Sequence, residues 1–320
     1  MTTRKTYITK ITIAFIISLL LMIWAISTAD AFQHGNEDPY RVEEFSANQP
    51  GQLNVKTSGG HITVKGSNTN RVRVEMVVSA DGDALTPADT DLEGFEITIA
   101  QSGNTINAKA EWENSSSWKF WEDDNDISIS FVVYTPTEMS TNLKTSGGHI
   151  ETSGLVGTQQ IKTSGGHLDL ADLEGTVDAR TSGGHIDIAN VSGKINARTS
   201  GGHIDAKNTE GTLTIRTSGG HINLENIAGD IEARTSGGSI SADITKMGQF
   251  ARLRTSGGNV DIFVPRNVGL NLDLDGSRVR TKLTNFSGSM EDDEVEGTIN
   301  GGGATLSART SGGTVSVSYQ

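Results

Sequence analysis

The sequence predicts an all-β fold: a β-solenoid (β-helix) of 18-residue coils, with an irregular β-rich N-terminal part and degenerate C-terminal coils. Three observations predict it. The tetrapeptide TSGG begins at Thr57, Thr145, Thr163, Thr181, Thr199, Thr217, Thr235, Thr255 and Thr310, and between Thr145 and Thr235 every step is eighteen residues. A fixed period of that size marks a stack of coils, each burying its apolar side only against its neighbours. On either side of TSGG, apolar and polar residues alternate with the two-residue period of a strand. The chain also carries 38 glycines against 5 prolines in 320 residues, which suits frequent turns better than helices.

Taken in order, residues 1–31 read as a signal peptide or an N-terminal membrane anchor. TTRKTYITK is basic, ITIAFIISLLLMIWAI is apolar, and ADA at Ala29–Ala31 offers small residues for cleavage. The apolar run of Ile11–Ile26 is short for a spanning helix of about 20 residues. Cysteine is absent, which excludes disulfides, thiolate metal sites and a lipid-bearing cysteine. The net charge is −13, and cleavage after Ala31 removes Arg4, Lys5 and Lys10 against one acid, Asp30. A chain this acidic repels phosphate backbones, so nucleic acid is not an expected partner. A membrane is expected only through an uncleaved N-terminal segment.

Residues 32–140 form the irregular β-rich part. QLNVKTSGGHITVKG is a single coil-like unit, followed by the alternating runs RVRVEMVVSA, FEITIAQ, TINAKAEW and ISISFVVYTP. Residues 141–320 form the repeat array and its C-terminal cap. In GKINARTSGGHIDAKNTE, Ile195, Ala197 and Thr199 alternate with Asn196 and Arg198, and Ile204 and Ala206 alternate with His203 and Asp205. Two short strands therefore flank the glycine pair. Gly201 and Gly202 are expected to turn the chain through positive φ, and Gly211 with Asn208 to make the second corner. The column of Ile150, Leu168, Ile186, Ile204 and Ile222 is expected to face inward, as is that of Val177, Ile195, Leu213 and Ile231. After Thr255 the period degenerates, consistent with an end cap over exposed strand edges.

FVVYTPTEMSTNLKTSGGHIETSGLVG, the TSGG series and the closing INGGGATLSARTSGGTVSV resemble a bacterial adhesin-like family of β-strand-repeat envelope proteins, a domain of unknown function. The resemblance runs from about Tyr40 to Tyr319. It implies a solenoid on an exported or membrane-anchored protein, and it brings no catalytic residues with it.

Four sets of residues carry chemistry. His149, His167, His185, His203 and His221 each follow TSGG and form an expected outward ladder, with Asp169, Asp187 and Asp205 two residues on. Imidazole and carboxylate can ligate transition metals, but a flat ladder lacks converging ligands, and no metal site is expected. Charging stacked imidazoles in mild acid is expected to loosen the array. A second row is cationic, with Lys144, Lys162, Arg180, Arg198, Arg216, Arg234 and Arg254 preceding TSGG. It could grip an anionic polysaccharide, or be balanced by neighbouring acids on a solvated face. The stretch EWENSSSWKFWEDDND brings together Trp112, Trp118, Phe120 and Trp121, as a partner-binding loop or an end cap. Finally, NLDLDG resembles the start of a calcium loop, but Lys282 stands where the bidentate Glu belongs, so strand and turn are expected instead.

No phosphate-binding glycine loop, zinc-protease pair or nucleophile elbow is written in the chain, and no cofactor is expected. Every Arg-and-Asp grouping is a copy of the repeat, whereas an active site should be singular. The sequence thus points to a non-enzymatic cell-envelope module, adhesin-like or scaffolding, in the periplasm, on the surface or secreted. Its expected partners are a cell-wall polymer, a polysaccharide or an envelope protein. The alternative is a β-helix that binds or cleaves polysaccharide.

Overall fold

The computed structural model describes residues 39–47, 50–90, 92–112 and 127–320. The expected signal segment, 1–31, lies outside them, as do Trp118, Phe120 and Trp121. The described residues form 25 strands in one mixed sheet, with no helix among them.

Each coil contributes to two walls. The strand before TSGG builds the first wall, through Met139–Lys144, Val156–Lys162, Glu174–Arg180 and Ser192–Arg198 and then the C-terminal halves of Ile204–Arg216, Ile222–Arg234 and Ile240–Thr255. The strand after TSGG builds the second, through Ile150–Ser153, Leu168–Ala171, Ile186–Ala189 and the N-terminal halves of the same three long strands. All of these pair in parallel. From Lys144 to Arg234 the register advances by eighteen, so Val177 meets Ile195 and Ile186 meets Ile204. The two expected inward columns are buried throughout. A third inner column runs through Leu155, Leu173, Val191, Thr209 and Ile227 at the second corner.

The stack does not follow chain order at its ends. The coil-like unit at Gly51–Thr57 and Ile62–Ser67 lies between Thr105–Trp112/Ser128–Pro136 on one side and Met139–Lys144/Ile150–Ser153 on the other. At the far end Ala304–Thr310 and Thr314–Tyr319 slide in between the Thr255 coil and Leu270–Asp275/Arg278–Thr281. Outside these, pairing turns antiparallel. Phe95–Ser102 covers Thr105–Trp112, Arg71–Ala80 covers Ser128–Pro136, and Glu294–Ile299 with Phe286–Met290 covers Leu270–Asp275. Hairpins thus occupy edges that would otherwise template further strands. NLDLDG is part of one such strand, Leu270–Asp275, as its alternating leucines require.

The glycine pair turns the chain for a reason other than the expected one. Neither Gly201 nor Gly202 has positive φ. A Cβ on Gly202 would instead lie 2.0 Å from the carbonyl oxygen of Gly184, one coil back, and the second glycine of each repeat meets the same obstacle. The constraint is close approach of stacked backbones. At Gly201 the nearest atom to a Cβ is 3.5 Å away, an ordinary contact. Positive φ belongs to the other corner, as expected there, at Gly211 (122°) and Asn208 (52°). Asn190, Asn208 and Asn226 link that corner from coil to coil through their side-chain amides.

The threonine of TSGG bonds both ways. Thr199 Oγ1 donates to Gly184 O one coil back at 2.8 Å and accepts from Gly202 N of its own coil at 3.4 Å. The spine runs unbroken from Thr57, whose hydroxyl donates to Ile129 O, to Thr310, which donates to Gly258 O.

Two substitutions test this account. Gly202→Ala forces backbone apart and is expected to cost about 3 kcal/mol or more, while Gly201→Ala changes stability little; equal melting temperatures for the two variants would refute the close-approach argument. Thr209 is a misfit: it sits among aliphatic neighbours, is 3% exposed, and its hydroxyl has no partner among the described residues. Thr209→Val keeps the shape and removes a stranded polar group, so denaturant unfolding should show a gain of about 1 kcal/mol.

Candidate functional site

The outward positions of the two walls carry opposite charge. On the first wall, parallel register places Lys109, Lys56, Lys144, Lys162, Arg180, Arg198, Arg216, Arg234, Arg254 and Arg309 at one position of successive strands. Strand neighbours lie about 4.8 Å apart, where unit charges repel by roughly 0.9 kcal/mol even in water. The ladder read from the repeats is thus part of a longer one, extended by Lys56, Lys109 and Arg309 from strands outside the regular array. It stops at Asp275, the next position in register.

Part of this charge is balanced locally. Lys109 bonds Glu96 and Glu111, which hold its ammonium above the ordinary lysine value. Glu111 also meets Lys56, whose contact holds that carboxyl below the usual carboxylate range. Asp178 grips Arg180 through two bonds of 2.8 and 2.9 Å and raises its pKa. Glu232 lies between Arg216 and Arg234, and Asp273 meets Arg309 at 2.9 Å. Among the described residues Arg198 has only the amide oxygen of Asn196 as a side-chain partner. Lys144, Lys162 and Arg254 have no acidic partner among the described residues. Where Arg254 and Arg309 adjoin the C-terminal hairpin, an open polar notch of about 220 Å³ is lined by both arginines together with Thr255, Asp275, Ser277 and Ser311.

The row beside the cations is mostly neutral and polar, through Asn107, Asn54, Asn142, Gln160, Asn196, Thr214 and Ser307, with the charged Asp178, Glu232, Arg252 and Asp273 among them. A row of Gln52, Ser140, Thr158, Thr176 and Thr212 lies beyond it, with Lys194 among them.

On the second wall the structure brings the expected histidines and acids together. His167, His185 and His203 stack nearly parallel with ring centroids 4.9 Å apart, and His203 and His221 follow at 5.2 Å. Glu151, Asp169, Asp187, Asp205 and Asn223 stand in register beside them. Burial, then the charges of Asp169 and Asp205, push the Asp187 carboxyl up from its ordinary value; His185 pulls the other way. His149 breaks the stack, turning edge-on to His167 to place Nε2 2.5 Å from Asp169 Oδ2. Among the described residues no group of three or more His, Asp or Glu could hold a metal ion.

The histidines have a structural task that the sequence reading missed. The Nδ1 of His167 accepts a hydrogen bond from the backbone N–H of His185 at 2.9 Å. His185, His203 and His221 do the same for His203, His221 and Ser239, and His61 for His149. Where histidine runs out, another side-chain acceptor takes its place. Ser130 Oγ serves His61 N, Ser239 Oγ serves Asn259 N, and Asn259 Oδ1 serves Thr314 N. The residue after TSGG is thus selected for an acceptor that reaches the next coil. The replacement of His by Ser239 and Asn259 in that column was the available signal.

Trp112 ends the cap strand Thr105–Trp112, 37% exposed, with its ring 4.1 Å from that of Phe95 on the covering strand. It lies at the end of the first wall, away from the histidine ladder.

These observations define a repeat-built β protein whose walls carry periodic, oppositely charged ladders. Residues 208–318, roughly a third of the chain, match the family model of Toastrack DUF4097, which bears out the resemblance read from the TSGG motifs. Three crystal structures are similar over 88% of this chain. One is of a candidate cell adhesion protein from Clostridium sporogenes (9% identity, all of that chain, TM-score 0.22), and one of a candidate adhesin from Bacteroides fragilis (11%, 96%, 0.33). The third is of a candidate adhesin from Parabacteroides distasonis (12% identity, 98% of that chain, 0.30). No curated protein matches. Likenesses this distant say nothing of ligands.

An imidazole with a proton on Nδ1 cannot accept, so these hydrogen bonds fix the tautomer that carries its proton on Nε2. Replacing His185 by Ala strands the backbone N–H of His203 and is expected to cost about 1 kcal/mol, whereas His185→Asn, the acceptor used at position 259, should keep most of the stability; equal melting temperatures for the two variants would refute the acceptor role. The raised Asp187 carboxyl favours folding at low pH, and that contribution is lost as pH rises through its folded pKa.

Proposed function

We infer that this chain is a non-enzymatic cell-envelope module, adhesin-like or scaffolding, that presents its walls to an extended partner. The observation that carries this reading is repetition. The side chains able to do chemistry recur at one register position in coil after coil, while general acid–base or nucleophilic catalysis needs a single convergent constellation. A surface in which one contact is copied along an axis suits a partner that is itself long, since each added contact raises avidity without a new kind of interaction.

The partner classes that fit are a cell-wall polymer, a polysaccharide or an envelope protein. The net charge of −13 argues against nucleic acid. The basic and apolar opening of the chain supports export, to the periplasm, the surface or the medium, with 1–31 as signal or anchor. On this reading 32–140 supplies one end of the module together with the Trp-containing loop, and 141–320 supplies the array and the other end. Trp112, Trp118, Phe120 and Trp121 are the candidate partner contacts outside the repeat.

The test is sedimentation of the purified chain with isolated bacterial envelopes, alongside incubation with glycans while chain length is followed. Retention on envelopes with glycan length unchanged is the expected outcome. Cleavage that disappears on replacing a single acid would establish the polysaccharide-cleaving alternative instead.

A further inference from the structure

We propose that the cationic ladder of the first wall is a binding track for a linear, carboxylate-bearing polysaccharide laid along the stacking axis. This rests on the envelope-module reading and names the partner's chemistry. Three features of the wall point to it.

The first is continuity. Parallel register carries one basic residue per strand from Lys109 to Arg309, across both places where the stack departs from chain order. Lys56 and Arg309 precede TSGG motifs outside the regular array, and Lys109 belongs to no TSGG motif, so repeat copying does not account for its place in the row. In a chain with 39 acidic and 26 basic residues, an uninterrupted basic row runs against composition.

The second is incomplete neutralisation. Lys144 and Lys162 are adjacent rungs, exposed and without an acidic partner among the described residues, and Arg254 is a third. Adjacent like charges at strand spacing repel, and a polymer carboxylate seated between them relieves that repulsion. Arg254 opens onto the polar notch at the ladder's end, where the chain of the ligand would stop against Asp275.

The third feature selects glycan over other polyanions. The amides of Asn54, Gln160 and Asn196 lie beside the cations and, beyond the bonds of Asn54 to Gln52 and Asn107 and of Asn196 to Asp178 and Arg198, keep neutral donor and acceptor capacity for hydroxyl groups. Single-stranded nucleic acid would instead call for aromatic platforms repeated among the basic residues, and among the described residues the two rows beside this ladder hold one aromatic ring, Phe250, which lies under the Arg252 guanidinium. Sugar rings in an extended chain recur at a distance of the same order as the strand spacing, so one acidic ring can meet one rung.

The test uses the full-length chain and polygalacturonate fragments of graded length, with a neutral glucan and single-stranded DNA as the other arms. Affinity for polygalacturonate should rise with fragment length, fall in high salt, and exceed that for the neutral glucan and for DNA. The triple variant Lys144→Gln, Lys162→Gln, Arg254→Gln should lose about tenfold in affinity while keeping its melting temperature. Lys65→Gln with Lys207→Gln, on the second wall, should bind as the unmodified chain does. Absence of polygalacturonate binding, indifference to the triple variant, or DNA binding of equal strength would each overturn the proposal. Envelope retention without polygalacturonate binding would sink this proposal and leave the envelope-module reading standing; polygalacturonate binding without envelope retention would do the reverse.

Discussion

The close approach of glycine backbones from one coil to the next is the constraint on which the rest of the structure depends. With a Cβ only 2.0 Å from a neighbouring carbonyl oxygen, Gly202 can be no other residue while the coils keep their spacing. Once that corner is fixed, Thr199 sits where its hydroxyl reaches the carbonyl of the neighbouring coil's glycine and the N–H of its own. The residue after the pair is then delivered to a place where its side chain must accept the next coil's N–H. Corner, spine and histidine column are three consequences of one backbone contact, and this is why TSGG with its following acceptor travels as a unit.

Because the corner fixes register, the strands on either side are held in strict alignment, and outward residues become ladders whether or not anything binds them. Charge then decides what each wall can do. The second wall stacks carboxylates beside neutral imidazoles that are occupied as acceptors. Burial, and then the neighbouring Asp169 and Asp205, raise the Asp187 carboxyl, and its rings are committed to the fold. The first wall has no such internal task for its cations. Some are balanced by Asp178, Glu232 or Asp273, and others are not, so its unsatisfied charge is the part of the surface free to engage something else.

Much of this was legible in the sequence, because an eighteen-residue period with alternating Ile, Val, Leu and Ala states both the strand pairing and the inward side. The burial of Thr199 followed from alternation with Ile195 and Ala197, and the Asn208–Gly211 corner followed from residue type. What was hidden involves contacts between segments remote in the chain. That the coil at Thr57 is threaded beneath Met139, or the Thr310 coil beneath Leu270, depends on end closure and leaves no local pattern. The extension of the cation ladder through Lys109 was invisible for the same reason, whereas Lys56 and Arg309 each precede a TSGG and were legible. The glycine pair was misread for a different one: glycine serves equally for positive φ and for close approach, and only the position of the neighbouring carbonyl separates them.

The histidine column shows how function and architecture are told apart in a repeat protein. Five imidazoles in a row look like a metal or catalytic array until the Nδ1 of His167, His185, His203 and His221 is found to be engaged by a backbone N–H, and until Ser239 and Asn259 are found doing the same work without an imidazole. A position that accepts three unrelated side chains with one shared property is defined by that property. The cation ladder has the converse character. Lysines fill its first rungs and arginines the later ones, some with acidic partners and some without. At Lys144, Lys162 and Arg254 charge is kept with no acidic partner among the described residues, and this is the observation on which the proposed binding track rests.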